Sequence, residues 1–215
     1  MTESNPTAEA TSAKIVLIAA TELEVRALRR ELPGGAIVKT GVALGDLRAP
    51  LGDTVLSCGL AGGLRADLPT GTLLLPREVR RPDGRTLHCD ADLLEALAAA
   101  ARALGLEPVF APLLTAERIV HGTARTRWAG EGYAAVDMET GRLDARRVAA
   151  VRVVLDTPAH ELSRDWERPL AAMLKPWNWP QAMWLAREAP RAARLAARVA
   201  AQGIAQFRVT RANGD

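Results

Sequence analysis

Short apolar runs, several of them rich in β-branched residues, recur along the chain. Runs without polar alternation are typical of strands that are buried on both faces of a sheet. They predict strands at 14–20, 36–40, 54–58, 71–76, 108–114, 134–138 and 148–155. The third run leads into a glycine-rich stretch at 59–64, in which Gly62 and Gly63 favour a tight turn.

Segments with helical features lie between these runs. Thr21 and Glu24 have the spacing of a capping box, which predicts that a helix begins there. An alanine- and leucine-rich segment at 90–104, which Asp90 can cap, predicts a second helix, and 123–128 is helical or looped. Strands and helices therefore alternate, which favours an α/β fold with a parallel or mixed sheet.

The C-terminal part of the chain is mostly helical in pattern. Residues 161–202 predict helices that break near Pro176 and Pro180. A chain of 215 residues with 48% hydrophobic content can bury one sizeable core, so a single domain is expected over 14–205, with C-terminal helices from about 161. The polar segment 1–13 is expected to be a disordered leader rather than a signal peptide.

Composition excludes several classes of function. The net charge is +3, and no basic run interleaved with aromatic residues precedes the C-terminal region, so nucleic acid is not expected as a partner. No apolar run approaches the roughly 18 residues of a membrane span. Cys58 and Cys89 show no metal-ligand spacing, so we expect reduced thiols in a cytoplasmic protein and no metal site.

Polar residues follow four of the predicted strands at the points where the strands end. In α/β proteins, ligands bind at the carboxyl ends of strands. The four places are Glu22 with Glu24, the glycine-rich stretch, Asp137 with Glu139, and Arg152 with Asp156. Arg152 and Asp156 are four residues apart, which places them on one face of a strand and predicts a shared pocket.

Each of these places has a structural alternative. Glu22 and Glu24 favour a helix N-terminus through the helix dipole. Asp137 and Glu139 fit a solvated strand end, and Asp156 fits a cap before the next turn. Individually the four places indicate little, but their order and their strand-end positions together are informative.

Five stretches are similar, in order and in residue type, to the motifs of one known family. They are Ile15-Val16-Leu17-Ile18-Ala19-Ala20-Thr21-Glu22-Leu23-Glu24-Val25, Gly59-Leu60-Ala61-Gly62-Gly63-Leu64, Gly71-Thr72-Leu73-Leu74-Leu75, Val136-Asp137-Met138-Glu139 and Val151-Arg152-Val153-Val154-Leu155-Asp156. The chain thus resembles the nucleoside phosphorylase and nucleosidase superfamily, especially the branch of methylthioadenosine/S-adenosylhomocysteine nucleosidases and futalosine hydrolases. The resemblance covers about 14–160. It implies a three-layer α/β fold with a central mixed sheet, no cofactor, and a homodimer.

The resemblance also implies roles for individual residues. Cleavage of a base–sugar bond passes through an oxocarbenium-like sugar, so a site must protonate the leaving base, hold the ribose and supply a nucleophile. Asp156 is expected to protonate the base, Glu24 to orient water, and Arg152 to help hold the nucleophile. Glu139 is expected to accept hydrogen bonds from ribose hydroxyls, with Met138 under the sugar.

Further substrate-binding candidates come from the same motifs. They are Asp137, Gly59, Ala61, Gly62 and Gly63, with backbone amides of the glycine-rich turn lining the nucleophile pocket. The expected function is an N-ribosyl hydrolase for an adenine-type purine nucleoside. A phosphate-dependent phosphorylase and an inactive nucleoside-binding relative are the alternatives. Glu24 favours water over phosphate, because a phosphate dianion prefers several arginines and no adjacent carboxylate.

The chain departs from the family pattern in three respects. Leu155 stands where the family has a serine before the acid, and 115–119 replaces the stretch that contacts the base. The helices expected between 41 and 54 and between 139 and 149 are shortened. The base and the 5′ group of the substrate therefore do not follow from the resemblance.

The tail supports two interpretations. Its Leu174-Lys175-Pro176 stretch and the arginine- and alanine-rich helix after Pro180 resemble hopanoid-associated phosphorylase-like proteins, which implies a substrate with an apolar 5′ substituent such as adenosylhopane. Its tryptophans, methionines and regularly spaced arginines fit an interfacial helix on an anionic bilayer, at the inner membrane. The alternative is a helix that packs its tryptophans on the domain or on a second subunit.

Overall fold

A computed structural model describes residues 14–167 and 172–212, so the predicted leader at 1–13 lies outside the described residues. Nine strands are present in this part of the chain: β1 Ile15–Ala19, β2 Ile37–Lys39, β3 Thr54–Gly63, β4 Leu73–Leu74, β5 Glu78–Arg80, β6 Thr86–His88, β7 Leu113–Thr115, β8 Ala135–Asp137 and β9 Arg147–Val154. The helices are α1 Glu22–Glu31, α2 Ala91–Ala103, α3 Thr123–Gly130 and α4 Trp179–Ala212.

The strands form one mixed sheet in the order β2-β1-β3-β8-β7-β5-β6, with β9 paired to β3 and β4. Most pairs are parallel, whereas β3–β8, β4–β9 and β5–β6 are antiparallel. The predicted α/β class with a central mixed sheet is therefore confirmed. The hairpin β5–β6 was not predicted, because its strands are three residues long and largely polar.

The main core lies between the centre of the sheet and α1, α2 and α4. Alternate residues of β1 divide between the two faces: Ile15 and Leu17 join this core, and Val16 and Ile18 join a smaller cluster on the other face. This two-sided burial explains why the strand reads as a continuous apolar run. Burial raises the pKa of the Cys58 thiol in this core to about 12, so it is a protonated core residue.

The glycine-rich stretch is a strand, and the predicted turn is wrong. Gly59 and Ala61 lie in the parallel ladder with β9, and Gly62 and Gly63 pair antiparallel with β8. Two backbone N–H groups of the stretch already have acceptors within the protein. The Leu60 N–H donates to Glu24, and the Gly63 N–H donates to the Asp156 carbonyl. The long strand therefore joins the two halves of the sheet.

The C-terminal helix also begins and ends differently from the prediction. The described part of 161–178 holds short 3₁₀ turns, Arg164–Glu167 and Pro176–Asn178, and α4 then runs from Trp179 to Ala212, beyond the predicted helical end at 202. Pro180 lies in its first turn, where a missing N–H costs nothing. Pro190 lies inside α4, and the alanine-rich face that follows it is buried against α1 and α2.

The contact between α2 and α4 leads to a prediction about Gly203. A Cβ at this position would lie 2.6 Å from Cδ2 of the buried Leu97. Gly203→Ala should therefore lower the free energy of unfolding by about 1–3 kcal/mol in urea titrations through overpacking. Helix propensity alone would favour alanine by about 1 kcal/mol. Gly130→Ala, at a helical glycine with nothing within 4 Å, is the control and should cause no loss. Equal stability of the Gly203→Ala and wild-type proteins would contradict the packing argument.

Candidate active site

A pocket of about 310 Å³ opens where β1, β3, β8 and β9 end. Its volume is within the range of small-molecule sites. It is lined by Ala20, Thr21, Glu24, Val42, Leu60, Ala61, Gly62, Arg118, Ile119, Val120, Arg125, Val136, Asp137, Met138, Glu139, Leu155, Asp156 and Leu162. A larger cavity of about 600 Å³, lined by residues of α2 and of the β5–β6 region, contains none of the motif residues.

Glu24 combines a structural bond with a place in the pocket wall. Its Oε2 accepts hydrogen bonds from the backbone N–H of Thr21 at 2.8 Å and from the Thr21 hydroxyl at 2.7 Å. The Thr21 hydroxyl oxygen in turn accepts from the Glu24 N–H, so the predicted capping box is confirmed. The other carboxylate oxygen, Oε1, accepts from the Leu60 N–H at 2.9 Å. Glu24 therefore caps α1 and ties it to β3.

Arg152 is buried inside the sheet and is paired with carboxylates. Its side chain is 1% exposed, and its Nη2 lies 2.7 Å from Oδ2 of Asp137 and 3.7 Å from Oε2 of Glu139. Nη2 also donates to the hydroxyls of Ser57 at 2.6 Å and Thr140 at 2.9 Å. Burial opposes the charge, but the two carboxylates outweigh it and raise the pKa of the guanidinium.

Asp137 completes this network from the end of β8. Its Oδ1 accepts from the Thr115 hydroxyl at 2.6 Å, and its Oδ2 accepts from the Thr140 N–H at 3.1 Å and from the Thr140 hydroxyl. The Asp137 side chain is fully buried, so the small exposed fraction of the residue belongs to its backbone. Its carboxylate thus faces Arg152 and the turn after β8 rather than the pocket opening.

Glu139 reaches the pocket and holds a strained turn. One carboxylate oxygen accepts from the Ala43 N–H at 3.1 Å. Ala43 and Leu44 both have positive φ, at 55° and 61°, a conformation that residues with a Cβ rarely adopt. Burial raises the pKa of the Glu139 carboxyl, Arg152 opposes this, and the nearby Asp137 adds to it. Glu139 is therefore a buried acid at the junction of the pocket and the 42–44 turn.

Asp156 is paired with an arginine that sequence reasoning missed. Its Oδ2 accepts a hydrogen bond from Nη2 of Arg125, whose side chain is 3% exposed. The Nε and Nη1 groups of Arg125 donate to the carbonyls of Val120 at 3.0 Å and Gly63 at 2.8 Å, and its Nε lies 3.3 Å from Oε1 of Glu161. The guanidinium is thus held in place by backbone and carboxylate groups on several sides.

Two glycines of β3 allow the charged groups to approach the strand. A Cβ at Gly59 would collide with Oε1 of Glu24 and lie 2.7 Å from Nη1 of Arg152. A Cβ at Gly62 would lie 3.1 Å from Oδ1 of Asp156. The absence of side chains at these positions therefore brings Glu24 and Arg152 together over Gly59, and Asp156 against Gly62.

The structure brings most of the predicted site residues to this pocket. Glu24, Asp137, Met138, Glu139, Ala61, Gly62 and Asp156 line it. Arg152 and Gly59 lie behind the wall at Glu24, and Gly63 packs against the backbone of Asp156 and Thr157. The shared pocket predicted for Arg152 and Asp156 is not what the structure shows, because Arg152 pairs with Asp137 and Glu139, and Arg125 supplies the guanidinium at Asp156.

The missed residues had no recognisable signal in the sequence. Arg125 is one arginine among many, and only the packing of α3 brings it to Asp156. Thr115 and Thr140 lie outside the motifs and act through a buried hydroxyl network. Val42 and Leu162 reach the pocket from short irregular segments.

The profile of the phosphorylase superfamily matches residues 49–173, which is more than half of the chain. The chain belongs to the phosphorylase superfamily. This match contains β3, β8, β9 and the pocket residues after them, whereas β1 and Glu24 precede it. By sequence alone, no curated protein matches the chain.

Solved structures with the same fold extend over nearly the whole chain. A 5′-methylthioadenosine/S-adenosylhomocysteine nucleosidase from Neisseria meningitidis, in complex with methylthio-immucillin-A, is 19% identical with a TM-score of 0.66, covering 88% of this chain and 97% of its own. One from Colwellia psychrerythraea, in complex with adenine, is 18% identical with a TM-score of 0.65, at 91% and 96% coverage. The futalosine hydrolase of Helicobacter pylori is 14% identical with a TM-score of 0.65, at 90% and 98%. At these identities the likeness establishes the fold.

The buried pair of Asp137 and Arg152 leads to a prediction about stability. Asp137→Asn removes the closest counter-charge of a buried guanidinium, which should lower the free energy of unfolding by about 3–5 kcal/mol. The control is Glu131→Gln, which breaks the exposed pair with Arg127 and should cost no more than about 0.5 kcal/mol. Urea unfolding of both variants measures the difference. If Asp137→Asn lowers the free energy of unfolding as little as Glu131→Gln does, Glu139 is sufficient to compensate the charge of Arg152.

Proposed function

We propose that this protein is an N-ribosyl hydrolase that cleaves the base–sugar bond of an adenine-type purine nucleoside. The observation that carries the proposal is the convergence of three carboxylates, Glu24, Glu139 and Asp156, on one pocket at the strand ends. They come from three separate segments of the chain, and the proposal assigns one of the three parts of the reaction to each.

The proposed ribose end lies at Glu139. A carboxylate can accept hydrogen bonds from two adjacent hydroxyls, which is the geometry of a ribose diol. Met138 lines the pocket beside it and offers an adaptable apolar surface for the sugar. Asp137 contributes indirectly, because it fixes Arg152 and the turn that follows β8.

The proposed base end lies at Asp156. Oδ2 of this carboxyl group is bonded to Arg125, while Oδ1 lies against Gly62 in the pocket wall. The leaving base then interacts with Oδ1, and Arg125 holds the group in position through Oδ2. The leaving base would therefore take its proton from Oδ1 of this carboxyl group, while Oδ2 stays bonded to the guanidinium of Arg125.

The proposed nucleophile is water held near Glu24. Glu24 lines the pocket with Arg152 behind it, so its carboxylate is the group that would orient a water molecule and accept its proton. A phosphate at this place would be repelled by the carboxylate of Glu24. Nη2 of Arg152 already binds Asp137, Ser57 and Thr140. Hydrolysis is thus favoured over phosphorolysis.

The remaining lining supports an apolar group on the substrate. Val42, Ile119, Val120, Leu155 and Leu162 contribute side chains to the pocket, and its accessible wall is mainly apolar. This supports a nucleoside with an apolar 5′ substituent, with adenosylhopane as one candidate. The homodimer and the cytoplasmic location stay predictions.

Chromatography of products after incubation with nucleosides tests the reaction. The panel contains adenosine, inosine, methylthioadenosine and S-adenosylhomocysteine, each with and without phosphate. We expect free adenine and free ribose sugar at a rate that does not depend on phosphate. Ribose 1-phosphate products would establish the phosphorylase, and binding of a nucleoside without release of base would establish the inactive alternative.

Variants of the carboxylates test the assignment of roles. Asp156→Asn should slow base release about 10²–10⁴-fold, the usual contribution of a positioned acid–base group. Glu139→Gln should weaken binding of the ribose and slow base release as well. The matched control is Asp83→Asn, an exposed acid paired with Arg85 next to β6, which should leave the rate unchanged. Wild-type rates in both pocket variants would show that the carboxylates do not carry the reaction.

The raised pKa of Glu139 leads to a prediction about pH. Because burial raises this pKa above its ordinary value, lowering the pH protonates Glu139 earlier than an exposed glutamate and removes an acceptor for the ribose hydroxyls. The affinity of Asp156→Asn for adenosine, measured by calorimetry, should therefore fall as the pH drops through the raised pKa. The double variant with Glu139→Gln should bind weakly at every pH. Parallel pH profiles for the two proteins would contradict this role of Glu139.

A further inference from the structure

A cluster of large apolar side chains is exposed at the start of α4 and just before it. Five residues form this tail patch: Met173, Leu174, Trp177, Trp179 and Met183, which are 59%, 84%, 71%, 58% and 60% exposed. Only three other large apolar residues in the described part of the chain are exposed, and they lie elsewhere in the sequence. Large apolar side chains exposed together along one short stretch of chain indicate a contact surface. Packing of the tail tryptophans on the domain is therefore wrong for Trp177 and Trp179, whereas packing on a second subunit stays a prediction.

The tail patch is presented by an ordered scaffold. Asn178, which is 3% exposed, donates to Asp165 at 2.9 Å and to the Ala172 carbonyl at 3.1 Å. Gln181 accepts from the Trp166 indole N–H at 2.5 Å and donates to the Glu161 carbonyl at 3.0 Å. Buried polar groups thus hold the segment while its apolar side chains face outward.

A row of arginines continues from the tail patch along the exposed face of α4. Met183 is followed at helical spacing by Arg187, Arg191, Arg194 and Arg198, all exposed. We call these four residues the arginine stripe. The opposite face of α4 is alanine-rich and packs against α1 and α2, so the stripe is turned to solvent.

The arginine stripe also forms part of a cationic cavity. Arg30 at the end of α1 joins Arg191, Arg194 and Arg198 around a cavity of about 420 Å³. The acids beside it are Glu31, which lines the cavity, and Glu188, which lies 2.6 Å from Arg191. The cations outnumber these acids, and clustered guanidinium groups are the preferred ligands of phosphate groups.

Charge and residue type together indicate what covers this face. A second copy of the chain in a symmetric contact would place one arginine stripe against another, which is repulsive. Tryptophan and methionine next to arginine are the side chains that bind the headgroup region of an anionic bilayer, with the rings at the interface and the guanidinium groups on lipid phosphates. None of the described helices combines the length and apolar character needed to cross a bilayer.

We propose that the tail patch and the arginine stripe dock the protein on the surface of an anionic lipid bilayer. The tail patch enters the headgroup region, and the stripe binds lipid phosphates beside it. Glu161, whose carbonyl accepts from Gln181, directly precedes Leu162 in the pocket lining, so the docking segment lies next to the proposed active site. The proposal stands independently of the proposed reaction.

Flotation of the full chain with vesicles tests the docking surface. The vesicles are phosphatidylcholine alone, or phosphatidylcholine mixed with phosphatidylglycerol, at low and high salt. We expect binding to the anionic vesicles that weakens as salt is added. Arg194→Gln with Arg198→Gln should weaken binding about 25-fold, from about fivefold for each arginine near the surface. Trp177→Ala with Trp179→Ala should weaken it more than about tenfold.

The matched control is Arg85→Gln with Arg102→Gln, which removes the same charge from the segment before β6 and from α2 and should retain binding. Thermal unfolding, unchanged in all three double variants, shows that the fold is intact. Absence of binding to anionic vesicles would overturn the proposal. A dimer in size-exclusion chromatography that becomes a monomer in the tryptophan variant would also overturn it. An equal loss of vesicle binding in the control variant would do the same. Tight binding to RNA without binding to vesicles would assign the arginine stripe to nucleic acid instead.

Discussion

The centre of this structure depends on compensating one buried positive charge. A guanidinium inside a sheet costs several kcal/mol unless carboxylates and hydroxyls surround it. Arg152 in β9 obtains Asp137 from β8, Ser57 from β3 and Thr140 from the turn after β8. Because these partners come from three neighbouring segments, the charge fixes how the strand ends meet.

The pairing of Arg152 with Asp137 also gives different roles to the two acids of the motif Val136-Asp137-Met138-Glu139. Asp137 faces Arg152 and is fully buried, whereas Glu139, two residues later and beyond the end of β8, reaches the pocket and the 42–44 turn. The same buried charge therefore stabilises the sheet and places a carboxylate in the pocket. The glycines of β3 complete the arrangement, since any side chain at Gly59 would separate Glu24 from Arg152.

The pocket and the exposed tail surface are joined by the segment at 161–166. Glu161 interacts with Arg125 on the pocket side and, through its carbonyl, with Gln181 on the tail side. A nucleoside with an apolar substituent and a bilayer surface would thus meet adjacent parts of one protein. The proposed cleavage site is therefore adjacent to the proposed docking surface.

The sequence by itself determined the α/β class, the boundaries of α1 and α2 with their caps, and the acidic residues of the pocket, including Glu24, Glu139 and Asp156. These features follow from local periodicity, capping and motif order, which act over a few residues. The tertiary structure alone decided that 59–63 is a strand, because two neighbouring strands supply its partners. It also decided that Arg125 meets Asp156, that Arg152 meets Asp137, and that Trp177 and Trp179 are exposed. Pairing between distant charges depends on which elements pack together, and no local pattern records that choice.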